Sequence, residues 1–210
     1  MDQHFKIISN KLLALEGKDE VNFFDALLSY EHIQGVQLVD LGGKEKFRVE
    51  LPSLMIPEGF PNVTVFGFVR DAEKDMAHSA FDSICSTLKS NRLPVPASLT
   101  AFAPGPPKIG IFIMPDNQGA GMLEHLCLKT LEGQPIEQCL NDYIACISSI
   151  ISVEERKLFN EPKARVQTYL ASRTPMVKSL GLGALKTYWD FRHPCFAELK
   201  QFLHNLFEEA

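Results

Sequence analysis

What this chain lacks narrows its reading before any motif does. Its five cysteines (Cys85, Cys127, Cys139, Cys146 and Cys195) include no pair spaced two residues apart, and an odd number closes no disulfide framework. They read as reduced residues on apolar faces, which points to the cytoplasm. The longest apolar runs, such as "VTVFGFV", fall far short of the ~20 residues a bilayer requires, so a soluble protein with no membrane partner is expected. The opening "MDQHFKIISN" has no basic stretch followed by an apolar core, so it does not read as a signal peptide. No internal repeat or low-complexity tract is present. No serine or threonine sits in a nucleophile-elbow pattern, which leaves triad hydrolysis unsupported.

What is present is an ordinary globular composition: 210 residues, 45% hydrophobic and 22% charged. That length suits one large domain, or one domain with an appendage. The net charge is −5 but unevenly spread. Residues 156–200 carry nine Lys/Arg against three acids, whereas residues 1–155 carry twelve against twenty-one. An acidic body with a basic segment suggests cation binding beside polyanion binding, although solvated helix faces produce the same asymmetry.

Along the chain, "LLALEG" reads as a short buried strand ending in a tight turn. "KDEVNFFDALLSY" follows with helical spacing at Val21, Phe24, Leu27 and Leu28. "VQLVD" reads as a second strand closed by "LGG", and "KEKFRVEL" as a short helix that Pro52 stops. "NVTVFGFVRD" is almost continuously apolar, as a parallel strand covered on both faces should be. A helix is expected from Met76 to Lys89, then a proline-rich connection over 91–108, then a fourth strand in "KIGIFIMPD". This alternation over the first ~130 residues predicts a parallel α/β sheet flanked by helices. The remainder reads as helical, in "IEQCLNDYIACISSII", "PKARVQTYLAS" and "CFAELKQFLHNLF", with "RTPMVKSLGLGAL" irregular. The expected division is an α/β domain over residues 1–132 and a helical C-terminal extension over 133–210, packed on the same domain.

In an open parallel sheet the site lies at the carboxyl ends of the strands. Here the four expected strands end at Glu16, Asp40, Asp71 and Asp116, and Glu20, Glu73, Asp75 and Glu124 follow closely. Carboxylates gathered at one edge raise one another's pKa unless a cation neutralises them. Hard oxygen ligands of this kind suit Mg²⁺ or Mn²⁺. Taken singly, each stretch has a plainer reading. "EGKDE" suits a helix N-terminus, "RDAEKD" a polar loop with a cap, and "PDNQGAGMLE" a turn. Their shared position after apolar strands favours the metal reading. Gly42 and Gly43, with Lys44 beside them, form a weaker phosphate-binding candidate or an ordinary strand-to-helix turn.

The Glu-Gly of "LLALEGKDE" and the acidic motif of "FGFVRDAEKD", each after a buried strand, resemble the Toprim domain. That domain occurs in topoisomerases, bacterial primases, small nuclease-like proteins and the OLD family of nucleases. "DLGGKEKF" and "GIFIMPDNQGAGMLEHLCL" more closely resemble an uncharacterised Toprim-related family, a domain of unknown function near the OLD-type group. The likeness covers residues 11–130 and, more loosely, "PKARVQTYLAS". It implies a Toprim/Rossmann-like, mostly parallel sheet with a helical C-terminal segment. It makes Glu16 a general acid/base or metal ligand, and Asp71 and Glu73 metal-binding acids. Glu20 matches the acid that OLD-type proteins carry four residues after the first, and Asp116 and Glu124 match a later acidic pair that fills a second metal position. Glu73 stands where aspartate is usual, and its extra methylene alters its reach to a metal. OLD-type proteins often carry an ATPase domain. Nothing here resembles a P-loop, so ATP coupling requires a partner protein.

The expected function is therefore that of a Mg²⁺- or Mn²⁺-dependent Toprim-type nuclease, or a related phosphoryl-transfer enzyme acting on nucleic acid. Lys163, Arg165, Arg173 or Lys178 would contact its phosphates. The alternative is a non-catalytic, metal- or nucleotide-binding regulatory module, and a toxin or phage-defence component is a third reading. Oligomeric state is left open. Cys127 beside His125, and His78, read better as ordinary helix residues than as chemistry. Trp189 with Tyr188 and Phe191 reads better as core than as a base-stacking platform.

Overall fold

The structure, a computed structural model, describes residues 6–56 and 59–208, with the backbone alone at Lys44 and Glu45. Four strands, β1 (Lys11–Leu15), β2 (Val36–Asp40), β3 (Val65–Asp71) and β4 (Lys108–Met114), pair in parallel in the order β2-β1-β3-β4. Parallel pairing needs long crossovers, and α1 (Lys18–Tyr30), α2 (Lys44–Leu54) and α3 (Ala77–Ser90) lie in them. After β4, the described residues form α4 (Leu123–Lys129), α5 (Pro135–Ile150), α6 (Val153–Leu158), α7 (Glu161–Ala171), α8 (Leu180–Leu185) and α9 (Ala197–Phe207). The fold is the α/β class with a parallel sheet that the strand-helix alternation predicts.

Strand alternation divides the core into two clusters, one on each face. Leu13, Leu15, Val69, Phe112 and Met114 pack with Phe23 of α1, Leu170 of α7 and Leu203 of α9. Leu12, Ala14, Phe66, Phe68 and Ile111 pack with Phe47 and Leu51 of α2 and Phe81 and Ile84 of α3. With both faces covered, β3 and β4 have no polar side to show, which is why they read as apolar runs.

Gly67 and Gly110 face each other across β3 and β4. A Cβ at Gly67 would stand 2.6 Å from Leu206 of α9 and 2.8 Å from Leu13. At Gly110 it would meet Phe102 at 2.8 Å and Leu206 at 3.0 Å. The glycine pair thus forms the floor on which α9 settles. Gly67→Ala is expected to destabilise the protein by about 1–2 kcal/mol through overpacking. A urea midpoint equal to that of wild type would show instead that α9 shifts freely.

Polar contacts also tie α9 to α1. Glu31 accepts from Lys200 at 2.7 Å and faces His204 Nε2 at 2.8 Å, while His204 Nδ1 lies 2.7 Å from Glu208. Hydrogen bonds to Glu31 and Glu208 raise the His204 pKa above its ordinary 6.5, outweighing desolvation. A raised folded-state value means that the contribution is complete below about pH 6.5 and fades as pH climbs through the folded value. Partial exposure keeps it under about 1 kcal/mol. The stability gap between wild type and His204→Gln should therefore favour wild type in mild acid and shrink as pH rises above about 6.5. A gap that ignores pH would contradict this assignment.

Three departures from the sequence reading have local causes. α2 does not stop before Pro52 but continues to Leu54. Pro52 forgoes one intrahelical hydrogen bond, yet Leu51 and Leu54 are buried, and Met55 N–H closes on Pro52 O at 3.1 Å. The stretch expected to be irregular contains α8, whose N-terminus is held from far away. Asp19 accepts from Leu180 N–H at 3.1 Å and Gly181 N–H at 2.7 Å. Only glycine fits at 181, because a Cβ there would stand 2.1 Å from the Asp19 carbonyl oxygen. The unforeseen helix α6 is capped reciprocally: Ser152 N–H donates to Glu155 at 2.9 Å, and Glu155 N–H donates to Ser152 Oγ at 3.1 Å.

No helix among the described residues is long and apolar enough to cross a membrane. All five cysteines are free thiols.

Candidate functional site

The carboxyl ends of β1 and β3 lie side by side because Ala14 pairs with Phe68. Two residues further along each chain come Glu16 and Arg70. Arg70 Nε stands 3.3 Å from Glu16 Oε1, and both side chains are less than one-fifth exposed, at 17% and 19%. The two atoms are at ion-pair distance but not aligned for a hydrogen bond, so each is buried without a hydrogen-bond partner. Burial raises the Glu16 pKa above its ordinary 4.5. Arg70 works against that rise, while Glu20 and Glu73 add to it.

Asp71, the last residue of β3, leans towards α4 and accepts from Leu123 N–H at 3.0 Å. Burial pushes its carboxyl well above the ordinary 3.8, and the charges of Glu16, Glu124 and Glu20 push the same way. Glu20 lies in the first turn of α1, which opens at Gly17. Its pKa is raised by burial, with Asp19 and Glu124 adding to the effect and Lys163 opposing it. Glu124, in the first turn of α4, stands 3.9 Å from Lys163 Nζ and is 15% exposed. Glu73 is the one acid of the group with positive φ, at 60°, an uncommon conformation for a residue other than glycine. Its N–H donates to Gly121 O at 2.7 Å, which fastens the loop after β3 to the one before α4. Glu16, Glu20, Asp71, Glu73 and Glu124 are thus electrostatically coupled carboxyl groups near the ends of β1 and β3.

The other candidates are placed differently. Asp116 Oδ1 accepts from Gln118 N–H at 3.2 Å and Gly119 N–H at 3.1 Å, and the residue lines a separate cavity beside α9. Gly43 N–H donates to Glu16 O at 2.5 Å, and Gly42 N–H donates to Asp40 Oδ1 at 2.7 Å. Their loop adjoins the acids, but these two N–H groups already have acceptors. The Lys44 side chain lies outside the described residues. Lys163 joins the rim through Glu124. Arg165 turns away, donating to Glu161 at 2.8 Å and to Asn141 of α5 at 2.7 Å.

The plainer readings hold for the remaining residues. His125 Nδ1 accepts from Met122 N–H at 3.1 Å and so caps α4. Burial holds the Cys127 thiol far above its ordinary pKa, which leaves no thiolate nucleophile. Trp189 is 2% exposed and donates to Leu180 O at 3.0 Å, a core residue.

Two residues of the site escaped the sequence reading. Arg70 sits inside "FVRD" and becomes legible once β1 is paired with β3. Asp19 anchors α8, and nothing in the local sequence announces a partner more than 160 residues away.

Among the described residues, no three His, Cys, Asp or Glu side chains are grouped closely enough to hold a metal ion by themselves. The acids therefore do not form a closed cage. A hard cation that keeps much of its water, as Mg²⁺ usually does, would need only one or two of these carboxylates. The buried Glu16 Oε1, lacking a hydrogen bond, and the crowded charge around Asp71 are the features such an ion would relieve.

No curated protein and no solved structure matches this chain. A family model described as a protein of unknown function (DUF3226) matches residues 10–208. That span includes all four strands, every acid of the rim and the helices through α9, so the chain belongs to the DUF3226 family of proteins of unknown function.

Proposed function

We propose that the chain is a Mg²⁺- or Mn²⁺-dependent Toprim-type phosphodiesterase, a nuclease or related phosphoryl-transfer enzyme acting on nucleic acid. One observation carries this reading. Acids from three separate stretches of the sequence, 16–20, 71–73 and 124, act on one another's charge near the ends of β1 and β3, where an α/β sheet binds its ligand. Asp71, with one neighbouring carboxylate from among Glu20, Glu73 and Glu124, would hold the cation. Bound there, the ion would polarise a phosphoryl oxygen and lower the pKa of its water.

The chain's own groups divide the remaining work. Glu16, with a raised pKa, is suited to exchanging a proton with the attacking or leaving oxygen at moderate pH. Arg70 keeps that carboxylate at the rim. Lys163 is 61% exposed beside Glu124, so its ammonium is free to swing to a phosphate. A cytoplasmic setting, with reduced thiols, and a separate protein supplying any ATPase function belong to the same reading.

A second reading, a non-catalytic cation-binding module, is favoured by the same ion pair, because Arg70 already offsets the Glu16 charge. Plasmid cleavage with Mn²⁺ separates the two. Nicking that disappears in Glu16→Gln supports the enzyme, while cation uptake without any nicking supports the module.

A further inference from the structure

A cavity of about 550 Å³ lies between α9, the end of β4 and the 91–108 connection, a volume within the ~300–1,000 Å³ of small-molecule sites. Its floor is aromatic. Phe102 and Phe202 stack with centroids 5.9 Å apart and planes 18° from parallel, and Phe112 stands 5.4 Å from Phe202. Its rim is acidic, carrying Asp116 and Glu198 beside the amide of Gln118. Among the described residues no lysine or arginine lines it, and neither carboxylate takes part in an ion pair. Lys108, whose ammonium stands 5.0 Å from the centroid of the Phe102 ring, donates to Asn205 O at 2.6 Å.

We infer that this cavity binds a small planar aromatic cation, with its ring on the phenylalanine floor and its charge at the Asp116–Glu198 rim. Two negative groups without basic partners repel carboxylates and phosphates, so the cavity is not an extension of the phosphodiester site proposed above. A neutral ring gains the apolar floor alone. A ring bearing an amidinium or ammonium group gains the floor and also a charge-assisted hydrogen bond. Asp116, which the sequence places among the metal ligands, acquires in this cavity a different task.

Three probes of nearly equal shape test the inference by isothermal titration on the full chain: benzamidine, its neutral isostere benzamide, and benzoate. Saturable benzamidine binding is expected, about tenfold or more tighter than benzamide, with benzoate weakest. Asp116→Asn keeps the turn, because its amide oxygen still accepts from Gln118 and Gly119. It should bring benzamidine affinity down towards that of benzamide, and Glu198→Gln should do the same. Benzamide binding as tightly as benzamidine would overturn the inference, as would the absence of saturable benzamidine binding. Glu16→Gln should leave the benzamidine affinity unchanged, so failure here is distinguishable from failure of the phosphodiesterase reading.

Discussion

Glu16→Gln should lower Mn²⁺-dependent plasmid nicking by roughly a thousandfold, equivalent to about 4 kcal/mol of transition-state stabilisation. Glutamine keeps the length and most of the volume of glutamate, and it still offers Arg70 an oxygen. The fold should therefore survive, as a far-ultraviolet circular dichroism spectrum would show. What disappears is the exchangeable proton and one negative charge at the rim, and proton transfer alone accounts for about a hundredfold or more. The rest comes from a weakened hold on the cation, which raising Mn²⁺ should partly restore. Full activity in the variant would remove Glu16 from the chemistry.

Asp71→Asn should make the metal-free protein more stable, on the order of 2 kcal/mol at mildly alkaline pH, the scale of one uncompensated buried charge. Asparagine retains an oxygen for Leu123 N–H, so the cap on α4 is kept. The sign follows from the raised pKa of Asp71. Its contribution is complete below the unfolded value, near pH 3.8, and is lost as pH rises through the higher folded value. Wild type and variant should therefore match in acid and diverge as pH increases. Added Mn²⁺ should reverse the order, because the wild type has one more carboxylate with which to bind it. Thermal melts across pH, with and without Mn²⁺, measure both effects. A less stable variant at every pH would mean that Asp71 is a structural carboxylate.

Much of the fold was legible because the physics is local. Apolar runs ending in acids or glycines announced β1 to β4, and their lack of polar alternation announced a sheet covered on both faces. Pro52 misled because the burial of Leu51 and Leu54 outweighs one missing hydrogen bond. α8 was hard to read because its local cap, Ser179, is supplemented by Asp19 of another helix, which holds its first N–H groups. At the site, Glu16, Glu20, Asp71, Glu73 and Glu124 could be placed by one rule about strand ends. Asp116 follows the same rule in sequence, yet the turn through Gln118 and Gly119 sets it beside the cavity under α9. Arg70 needed the register of β1 against β3, which no single segment reveals.

The central claim is that acids distant in sequence share a divalent cation over the ends of β1 and β3. Isothermal titration of Mn²⁺ into wild type, Asp71→Asn and Glu124→Gln tests it most directly. The account predicts saturable uptake by wild type with a dissociation constant below about 1 mM, accompanied by proton release that shrinks as pH rises and weakened in both variants. Absence of saturable uptake by wild type, or equal uptake by all three proteins, would contradict it.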